Sequence, residues 1–307
     1  MSPDRWDDWE WEQISGHSDL TEGPTWDGSG LLYSECAANK IWRFDPDTSR
    51  SEVWRDGTNG ANGLAFDRYG SLFACEGQAR RVVRYDANGD TKIIVDLFEG
   101  KRFNEPNDLA VDTEGRIWFS DPNYNMYGNR PMELEHESVY RADPQPNGSS
   151  YSTTRVTHDT ERPNGVLLSE YNNTLYVADS PRAPGNYYGG IARDAPRQLY
   201  SYQIFADGTL DDFNVWHDFG PGRGIDGMCI DQKGHIVATA GHHASGPGPM
   251  IYVFGARGRV MSTHPTPSDR PTNCAFGGQK LDVLFVTFGG GEVYRVLNTG
   301  LSGTAAS

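Results

Sequence analysis

Short apolar segments separated by tight turns run along nearly the whole chain. In one unit, the segment ANGLAFD at 61–67 is followed by the turn RYGS, by the apolar segment SLFAC and by RVVRYDA at 81–87. Apolar runs of this length that end at turn residues predict β-strands, and two such runs joined by a tight turn predict a β-hairpin. The pattern therefore predicts a chain of consecutive hairpins.

The hairpin recurs six times, with 40 to 62 residues between equivalent positions. Its first strands are predicted at TEGPTW (21–26), ANGLAFD (61–67), PNDLAVD (106–112), PNGVLLS (163–169), IDGMCID (225–231) and TNCAFGG (272–278). Four strands in roughly 40 to 50 residues form one blade of a β-propeller. We therefore predict an all-β fold, a six-bladed β-propeller with four-stranded antiparallel blades around a central channel.

The two ends of the chain are expected to meet in the last blade. The sixth repeat ends near Leu297 after about three strands, so the segment WEWEQISG at 9–16 is predicted to supply the fourth. Closing the ring in this way removes a free sheet edge. Residues 1–307 then form a single domain, with a short arm over about 1–10 and a short tail over about 299–307.

Composition favours the same fold and narrows the choice of partner. With 36 Gly, 18 Pro and 12% aromatic residues, the chain favours short strands and turns over long helices. Its formal net charge of −15 argues against nucleic acid and anionic membrane surfaces, because both require a basic surface. The N-terminal sequence has no signal-peptide pattern, and no stretch approaches the roughly 18 apolar residues of a membrane span. We expect a cytoplasmic protein that binds a small molecule, and its oligomeric state stays open.

Each repeat places one oxygen-bearing polar residue at the start of its first strand. These residues are Glu22, Asn62, Asn107, Asn164, Asp226 and Asn273. Equivalent positions on six blades point towards one axis. A cluster of carboxylate and amide oxygens without Cys or His matches the ligand preference of a hard cation such as Ca²⁺, Mg²⁺ or Mn²⁺. Asn and Asp are also common turn residues, but six coincident positions predict a metal site.

Asp226 also lies within a stretch that has the spelling of a dinucleotide-binding loop. Gly222, Gly224 and Gly227 follow the order G-x-G-x-x-G. That motif requires a preceding strand and a following helix, whose N-terminus holds the pyrophosphate. Here the apolar residues 228–230 lead into the turn DQKG, which predicts a strand and then a turn. We therefore interpret Asp226 as a metal ligand.

A second set of acidic residues is predicted at the same mouth of the channel. In an antiparallel pair, the end of the second strand lies beside the start of the first. Those positions hold Glu76, Asp121 and Asp179 in three consecutive repeats. We treat them as candidate substrate contacts, with solvated turn residues as the alternative.

Other features near the predicted mouth are less specific. The pair His242-His243 at the corresponding edge of the fifth repeat is interpreted either as a contact with the pocket or as an exposed loop. The long segments 123–137 and 180–197 are rich in Tyr, Gly and Pro, and each predicts either a lid or an ordinary surface loop.

Together these motifs resemble the SMP-30/gluconolactonase family of six-bladed propellers. The resemblance runs from about Leu20 to Leu297 and is nearest to bacterial gluconolactonases and related lactonases. It rests on EGPTW, ANGLAFD, EGKRFNEPNDLAVDTEGRIWFSDPNY, RPNGV, LYVADS, DGMCID and PTNCAFGG. In the family, a Glu, two Asn and an Asp hold one catalytic divalent cation. This implies that the ligands here are Glu22, Asn107, Asn164 and Asp226.

The resemblance leaves the other two ring positions, Asn62 and Asn273, as contacts of the substrate or of the ligands. Family members use Ca²⁺, Zn²⁺, Mg²⁺ or Mn²⁺; we expect Ca²⁺ and keep the other ions as alternatives. Glu105 stands where the animal branch has an Arg that contacts substrate, so the substrate preference of that branch does not transfer. Glu105 and Arg162, the latter just before Pro163-Asn164, are further candidate substrate contacts.

The resemblance implies a metal-dependent hydrolase that opens a lactone, such as gluconolactone, to the hydroxy acid. Asp226 is expected to serve both as a ligand and as the general base. The chain has no G-x-S-x-G motif, which argues against a serine nucleophile. Two alternatives remain: hydrolysis of a phosphotriester at the same metal site, and a propeller that binds metal without catalysis.

Overall fold

The described part of the computed structural model comprises residues 9–146, 150–181, 197–220 and 222–304. These residues form six four-stranded sheets, each of which is antiparallel. The sheets follow one another along the chain as the blades of a propeller, which confirms the fold predicted from the repeat. Among the described residues, no helix is long and apolar enough to cross a membrane.

The first half of the chain forms strand β1 and blades one to three. The strands are β1 (Trp11–Gly16); β2 (Thr21–Trp26), β3 (Leu31–Glu35), β4 (Lys40–Asp45) and β5 (Arg50–Asp56) in blade one; β6 (Ala61–Phe66), β7 (Leu72–Glu76), β8 (Arg81–Tyr85) and β9 (Thr91–Val95) in blade two; the small hairpin β10 (Leu97–Phe98) and β11 (Lys101–Arg102); and β12 (Leu109–Val111), β13 (Ile117–Asp121), β14 (Ser138–Pro144) and β15 (Tyr151–Arg155) in blade three.

The second half forms blades four to six. The strands are β16 (Pro163–Leu168), β17 (Thr174–Asp179), β18 (Gln198–Ile204) and β19 (Leu210–Asp218) in blade four; β20 (Ile225–Ile230), β21 (Ile236–His242), β22 (Ser245–Phe254) and β23 (Val260–Pro265) in blade five; and β24 (Pro271–Gly277), β25 (Val283–Phe288) and β26 (Glu292–Val296) in blade six. A single turn of 3₁₀ helix, Ala256–Gly258, connects β22 and β23.

The first strand of each blade lies next to the central channel. These strands contact one another in the order β2, β6, β12, β16, β20, β24 and then β2 again, so they form a closed ring. The second strand of every blade is buried along almost its whole length, whereas the fourth strands, such as β5 and β19, are mostly exposed. The residues that open the first strands therefore meet at one end of the channel.

The hydrophobic core lies between the blades. Six clusters of buried apolar side chains occur among the described residues, and each joins two neighbouring blades. Between blades two and three, for example, Phe73 and Cys75 pack with Phe103, Phe119 and Tyr140. Because each sheet is covered on both faces by its neighbours, no blade has a core of its own, and stability depends on the complete ring.

Strand β1 completes the last blade, as the sequence predicts. It pairs antiparallel with β26, with Trp11 opposite Val296 and Gly16 opposite Glu292. Ile14 packs against the cluster that joins blades six and one, which includes Phe285 and Val293. The chain is thus closed both by backbone hydrogen bonds and by apolar contacts.

We predict that Ile14→Ala destabilises the whole propeller. Ile14 is only partly buried, so the expected loss is about 1–2 kcal/mol, below the range for fully buried sites. The measurement is the free energy of unfolding from denaturant titration. Glu12→Ala is the matched control, because Glu12 lies on the same strand, is exposed and makes only a surface ion pair with Arg295. That change should cost no more than about 0.5 kcal/mol, and equal losses in both variants would contradict the role given to Ile14.

Candidate active site

A cavity of about 480 Å³ opens at the end of the channel where the first strands begin. Five of the six predicted ring positions line it: Glu22, Asn62, Asn107, Asn164 and Asp226. All five side chains are largely buried. The structure thus gathers oxygen-bearing side chains from blades one to five around one space.

Irregular strand pairing brings these side chains to the axis. The pairing of β2 with β3 shifts between Glu22 and Thr25, and that of β20 with β21 shifts between Ile225 and Met228. Bulges of this kind redirect a side chain and are common beside active sites. In blade three, the regular strand β12 begins only at Leu109, two residues after Asn107.

Glycines after the ring residues allow neighbouring blades to approach closely. A Cβ atom added at Gly23 would lie 2.1 Å from the carbonyl oxygen of Asn62, and one at Gly165 would lie 2.4 Å from that of Asp226. Only glycine fits at this separation. The E-G, N-G and D-G pairs of the repeat are therefore a sequence signal of the closed ring of first strands.

A closed ring of hydrogen bonds links the six blades at the level of the cavity. The bonds run from Ser34 Oγ to Asn62 O (2.8 Å), Gly63 N to Asn107 O (2.7 Å), Ser120 Oγ to Asn164 O (2.6 Å), Ser180 Oγ to Ile225 O (2.5 Å), Thr239 Oγ1 to Thr272 O (2.8 Å) and Thr272 Oγ1 to Thr21 O (2.8 Å). Each acceptor is the backbone of a ring residue or of its immediate neighbour. The backbone therefore fixes the ring residues in position before any ligand binds.

Two carboxylates that line the cavity, those of Glu22 and Asp226, are close enough to interact. Burial raises the pKa of Glu22 well above its ordinary value, and the nearby Asp226 and Asp108 carboxyl groups raise it further. Burial also raises the pKa of Asp226, although the Arg223 guanidinium, which contacts Asp226 directly, lowers it in part. Such mutual repulsion is relieved when a proton or a cation binds between the two groups.

The donor set fits a hard divalent cation. Asn164 Nδ2 donates to the Tyr124 hydroxyl (2.8 Å) and its hydrogen bond to Asp226 lowers the pKa of that carboxyl, so the amide oxygen remains available as a ligand. Throughout the described ranges, no three His, Cys, Asp or Glu side chains are grouped to hold a metal. The candidate site instead combines two carboxylates with amide oxygens, which suits Ca²⁺ and related ions.

The other predicted contacts lie behind the cavity wall. Asn273 hydrogen-bonds to Glu22 and accepts from the backbone N–H of Cys274 (2.8 Å). Arg162 is buried in an ion pair with Glu137 (2.7 Å) and lies 5.6 Å from the centre of the Tyr124 ring. Both residues contact groups of the cavity rather than the cavity itself.

The predicted second set of acids also lies outside the cavity lining. Glu76 accepts hydrogen bonds from Arg81 (2.6 Å) and from the Tyr85 hydroxyl (2.8 Å). Asp121 accepts from the backbone N–H of Asn104 (2.8 Å), and burial raises its pKa well above the ordinary value. These buried carboxylates bind chain segments of their own blades.

Asp179 and Glu105 hold loops in the same way. Asp179 accepts hydrogen bonds from the backbone N–H groups of Glu161 (3.0 Å) and Arg162 (2.7 Å). Glu105 accepts from the backbone N–H groups of Tyr124 (3.2 Å) and Met126 (3.3 Å). Glu105 thus positions the loop whose side chains line the cavity.

The structure adds several lining residues that sequence reasoning did not identify. These are Leu20, Tyr124, Met126, Ser180, Pro181, Arg197, Arg223, Asp269, Arg270 and Thr272. His242 lines the cavity and is partly buried, whereas His243 at its edge is exposed and lies 3.6 Å from Asp269. The long segment 123–137 supplies Tyr124 and Met126, and most of the other, 182–196, lies outside the described residues.

Comparison with known proteins gives the family. The SMP-30/Gluconolactonase/LRE-like region matches residues 20–289. The chain belongs to this family. A gluconolactonase from Zymomonas mobilis is 28% identical over 90% of this chain and 78% of its own length. A pentonolactonase from Haloferax volcanii is 27% identical over 89% and 82%. The solved structure of a gluconolactonase from Xanthomonas campestris has a TM-score of 0.78 at 28% identity, with 94% of this chain and 89% of that chain covered.

The burial of Asp179 predicts a pH-dependent stability. Burial raises the pKa of Asp179 to about 6, and its unfolded value is about 3.9. Because its pKa is higher in the folded than in the unfolded protein, Asp179 binds a proton more tightly in the folded state. The resulting gain in stability is complete below about pH 4 and is lost as the pH rises through about 6. Relative to Asp179→Asn, the wild type should lose about 2–3 kcal/mol of unfolding free energy between these limits.

The measurement is denaturant unfolding of both proteins from pH 4 to pH 7.5. KM for the substrate should be the same in both proteins, because Asp179 does not line the cavity. A constant stability difference across this range would show that the fold does not raise the pKa of Asp179, and a raised KM in the variant would show that Asp179 also affects the cavity.

Proposed function

We propose that this protein is a divalent-metal-dependent lactonase that opens a sugar-acid lactone to its hydroxy acid. The observation that carries the proposal is the convergence of Glu22, Asn62, Asn107, Asn164 and Asp226 on one cavity. A propeller that served only as a scaffold would have no use for two mutually repelling carboxylates at its axis. The lactonases among the relatives support the reaction class.

In this proposal Glu22, Asn107, Asn164 and Asp226 hold the cation, and we expect Ca²⁺. When bound, a divalent cation supplies a Lewis acid that polarises the lactone carbonyl. Asn62 lines the cavity outside this ligand set and is placed to accept or donate a hydrogen bond to a substrate hydroxyl. Tyr124 is held next to Asn164 and orients its amide.

Asp226 acts as the general base. It accepts a proton from water as the water oxygen adds to the carbonyl carbon, and the ring C–O bond then breaks. The same proton passes to the departing alkoxide oxygen, which yields the hydroxy acid. The Arg223 guanidinium contacts Asp226 and favours its carboxylate form, which is the form that accepts a proton.

Arg162 contributes indirectly in this mechanism. Its guanidinium is held by Glu137 and lies over the Tyr124 ring, so it positions the tyrosine that contacts Asn164. A positioning role of this kind replaces the direct substrate contact expected from the sequence.

We predict that removal of divalent metal abolishes hydrolysis and lowers the melting temperature. A ligand that binds only the folded state stabilises it, so Tm should rise again when Ca²⁺ is returned. The measurement is a pH-stat assay of a series of lactones and one phosphotriester, before and after chelation, with metal content checked by elemental analysis. Full turnover by metal-free protein would exclude the mechanism. Turnover of the phosphotriester alone would favour a phosphotriesterase in place of a lactonase.

We predict that Asp226→Asn separates metal binding from catalysis. An amide oxygen still coordinates a hard cation but does not accept a proton at neutral pH. The variant should therefore bind metal more weakly, and at saturating metal kcat should fall about 10²–10⁴-fold. Asp226→Ala should lose both properties.

Asp269→Asn is the control for this experiment, because Asp269 lines the same cavity outside the proposed ligand set. Its kcat should stay within a few-fold of the wild type. A kcat of Asp226→Asn close to that of the wild type would limit Asp226 to metal binding.

A further inference from the structure

The segment 123–137 connects strands β13 and β14 of blade three. Tyr124 and Met126 of this segment line the cavity, whereas Tyr127 packs against blade two. The Tyr127 hydroxyl donates to Gly60 O (3.2 Å), immediately before the first strand of blade two. The segment therefore reaches from its own blade to a neighbouring one, and its cavity residues directly precede the point of contact in the chain.

Two glycines of blade two form a slot for the Tyr127 ring, which we call the glycine slot. A Cβ atom at Gly60 would lie 2.4 Å from the Tyr127 hydroxyl oxygen, and one at Gly77 would lie 3.1 Å from Cε2 of the same ring. The slot is held together by a hydrogen bond from Gly77 N to Gly60 O (3.0 Å). Burial raises the pKa of the Tyr127 hydroxyl above its ordinary value. The end of the ring is thus enclosed by backbone that carries no side chains.

Arg130 fastens the same segment at a second point. Its terminal nitrogens donate to Gln78 O (2.8 Å) and to Gly77 O (3.3 Å), and one of them lies 3.5 Å from Glu105 Oε1. The guanidinium also lies 5.8 Å from the centre of the Tyr127 ring, within the range of a cation–π contact. Tyr127 and Arg130 therefore bind blade two at adjacent points.

Two carboxylates hold the backbone that carries the cavity residues. Glu105 accepts hydrogen bonds from the backbone N–H groups of Tyr124 and Met126, and Glu137 accepts one from that of Asn123 (2.8 Å). Both carboxylates are buried. The position of this backbone is therefore set by contacts within the protein, before a substrate binds.

We propose that Tyr127 is a positioning residue for substrate selection. By docking in the glycine slot, it holds Tyr124 and Met126 as a preformed wall of the cavity that selects lactones by shape. A substrate then does not bear the free-energy cost of ordering the wall when it binds. The segment 123–137 acts as a fixed wall and not as a lid. This inference rests on the proposed lactonase function.

Tyr127→Ala tests the anchor in the metal-loaded, full-length protein. KM for the preferred lactone should rise about tenfold, because a wall that is in place only a tenth of the time binds about ten times more weakly. At saturating Ca²⁺, kcat should change less than about threefold, since the proposed metal ligands all lie outside the segment. The measurement is steady-state kinetics on glucono-δ-lactone, xylono-γ-lactone and δ-valerolactone. The ratio of kcat/KM between the best and the weakest of these substrates should fall at least about fivefold, because a loosened wall discriminates less by shape.

Further variants separate the slot from a general effect of the substitution. Tyr127→Phe keeps the ring and loses only the hydroxyl, so its KM should lie within about threefold of the wild type. Gly77→Val fills the slot from the other side and should raise KM as Tyr127→Ala does. Gly77 lies outside the left-handed region, so its backbone accepts a side chain. The double variant should have the KM of Tyr127→Ala, because no ring is left for the valine to displace.

Tyr69→Ala is the matched control. Tyr69 also belongs to blade two, but its side chain is 77% exposed and does not line the cavity. Both kcat and KM should stay at the wild-type values.

Amide hydrogen exchange gives a readout that does not depend on catalysis. The N–H groups of Asn123, Tyr124 and Met126 should exchange slowly in the wild type and at least about tenfold faster in Tyr127→Ala. Tyr127 is not part of the described apolar clusters between the blades, so the melting temperature should change by less than about 4 °C. A larger decrease would assign Tyr127 to the stability of the propeller and overturn its positioning role.

The kinetic results can overturn the inference in two other ways. Effects of Tyr127→Ala and Gly77→Val that multiply in the double variant would exclude the slot. Faster exchange with an unchanged KM would show that the segment is anchored but does not select substrate. Hydrolysis of no lactone would remove the proposed function alone, and the exchange rates would still decide whether Tyr127 holds the wall.

Discussion

The ring of hydrogen bonds between neighbouring blades is the constraint on which the rest of the structure depends. Each bond joins a donor on one blade to a backbone carbonyl on the next, from Ser34 and Asn62 round to Thr272 and Thr21. Since the carbonyls belong to the ring residues or to their neighbours, the same contacts that close the channel also set the spacing of the side chains in the cavity. The fold and the candidate site are thus specified by one set of interactions.

This arrangement allows the site to hold two carboxylates close together despite their electrostatic repulsion. Glu22 and Asp226 are brought together although their carboxylates repel each other. The free energy to hold them comes from the apolar clusters between the blades, which are distributed over six interfaces. A site prepared in this way does not need to reorganise when charge develops during a reaction.

The sequence predicts the repeated parts of this protein well and the unique parts poorly. Asn62, Asn107 and Asp226 were found because the same position recurs in every repeat, and equivalent positions in a propeller share an axis. The repeat also predicts that strand β1 completes the last blade, because the sixth repeat supplies only about three strands. Repetition makes these predictions independent of any side-chain detail.

The side chains around the ring do not follow the repeat. Glu76 and Asp179 also occupy equivalent positions, but the pairing of the third strand and the adjacent loop turns them towards Tyr85 and backbone N–H groups. Arg223 and Arg270 reach the cavity from connections between blades, where the repeat gives no register, and they donate to the backbone carbonyl groups of Gly241 and Gly289. Their positions depend on tertiary contacts, such as the carbonyl groups that hold them, which leave no pattern in the sequence.

The closing of the last blade has a consequence for the order in which the chain folds. Strand β1 pairs with β26, so Trp11 has no partner in the sheet until Val296 has been synthesised. At about 5–20 residues per second, this takes roughly 15 to 60 s on the ribosome. During that time β1 has no partner strand, and the face of blade one that packs against blade six stays uncovered. The nascent propeller is therefore open to aggregation until β26 has been made, and the pairing of β1 with β26 is the step that protects it.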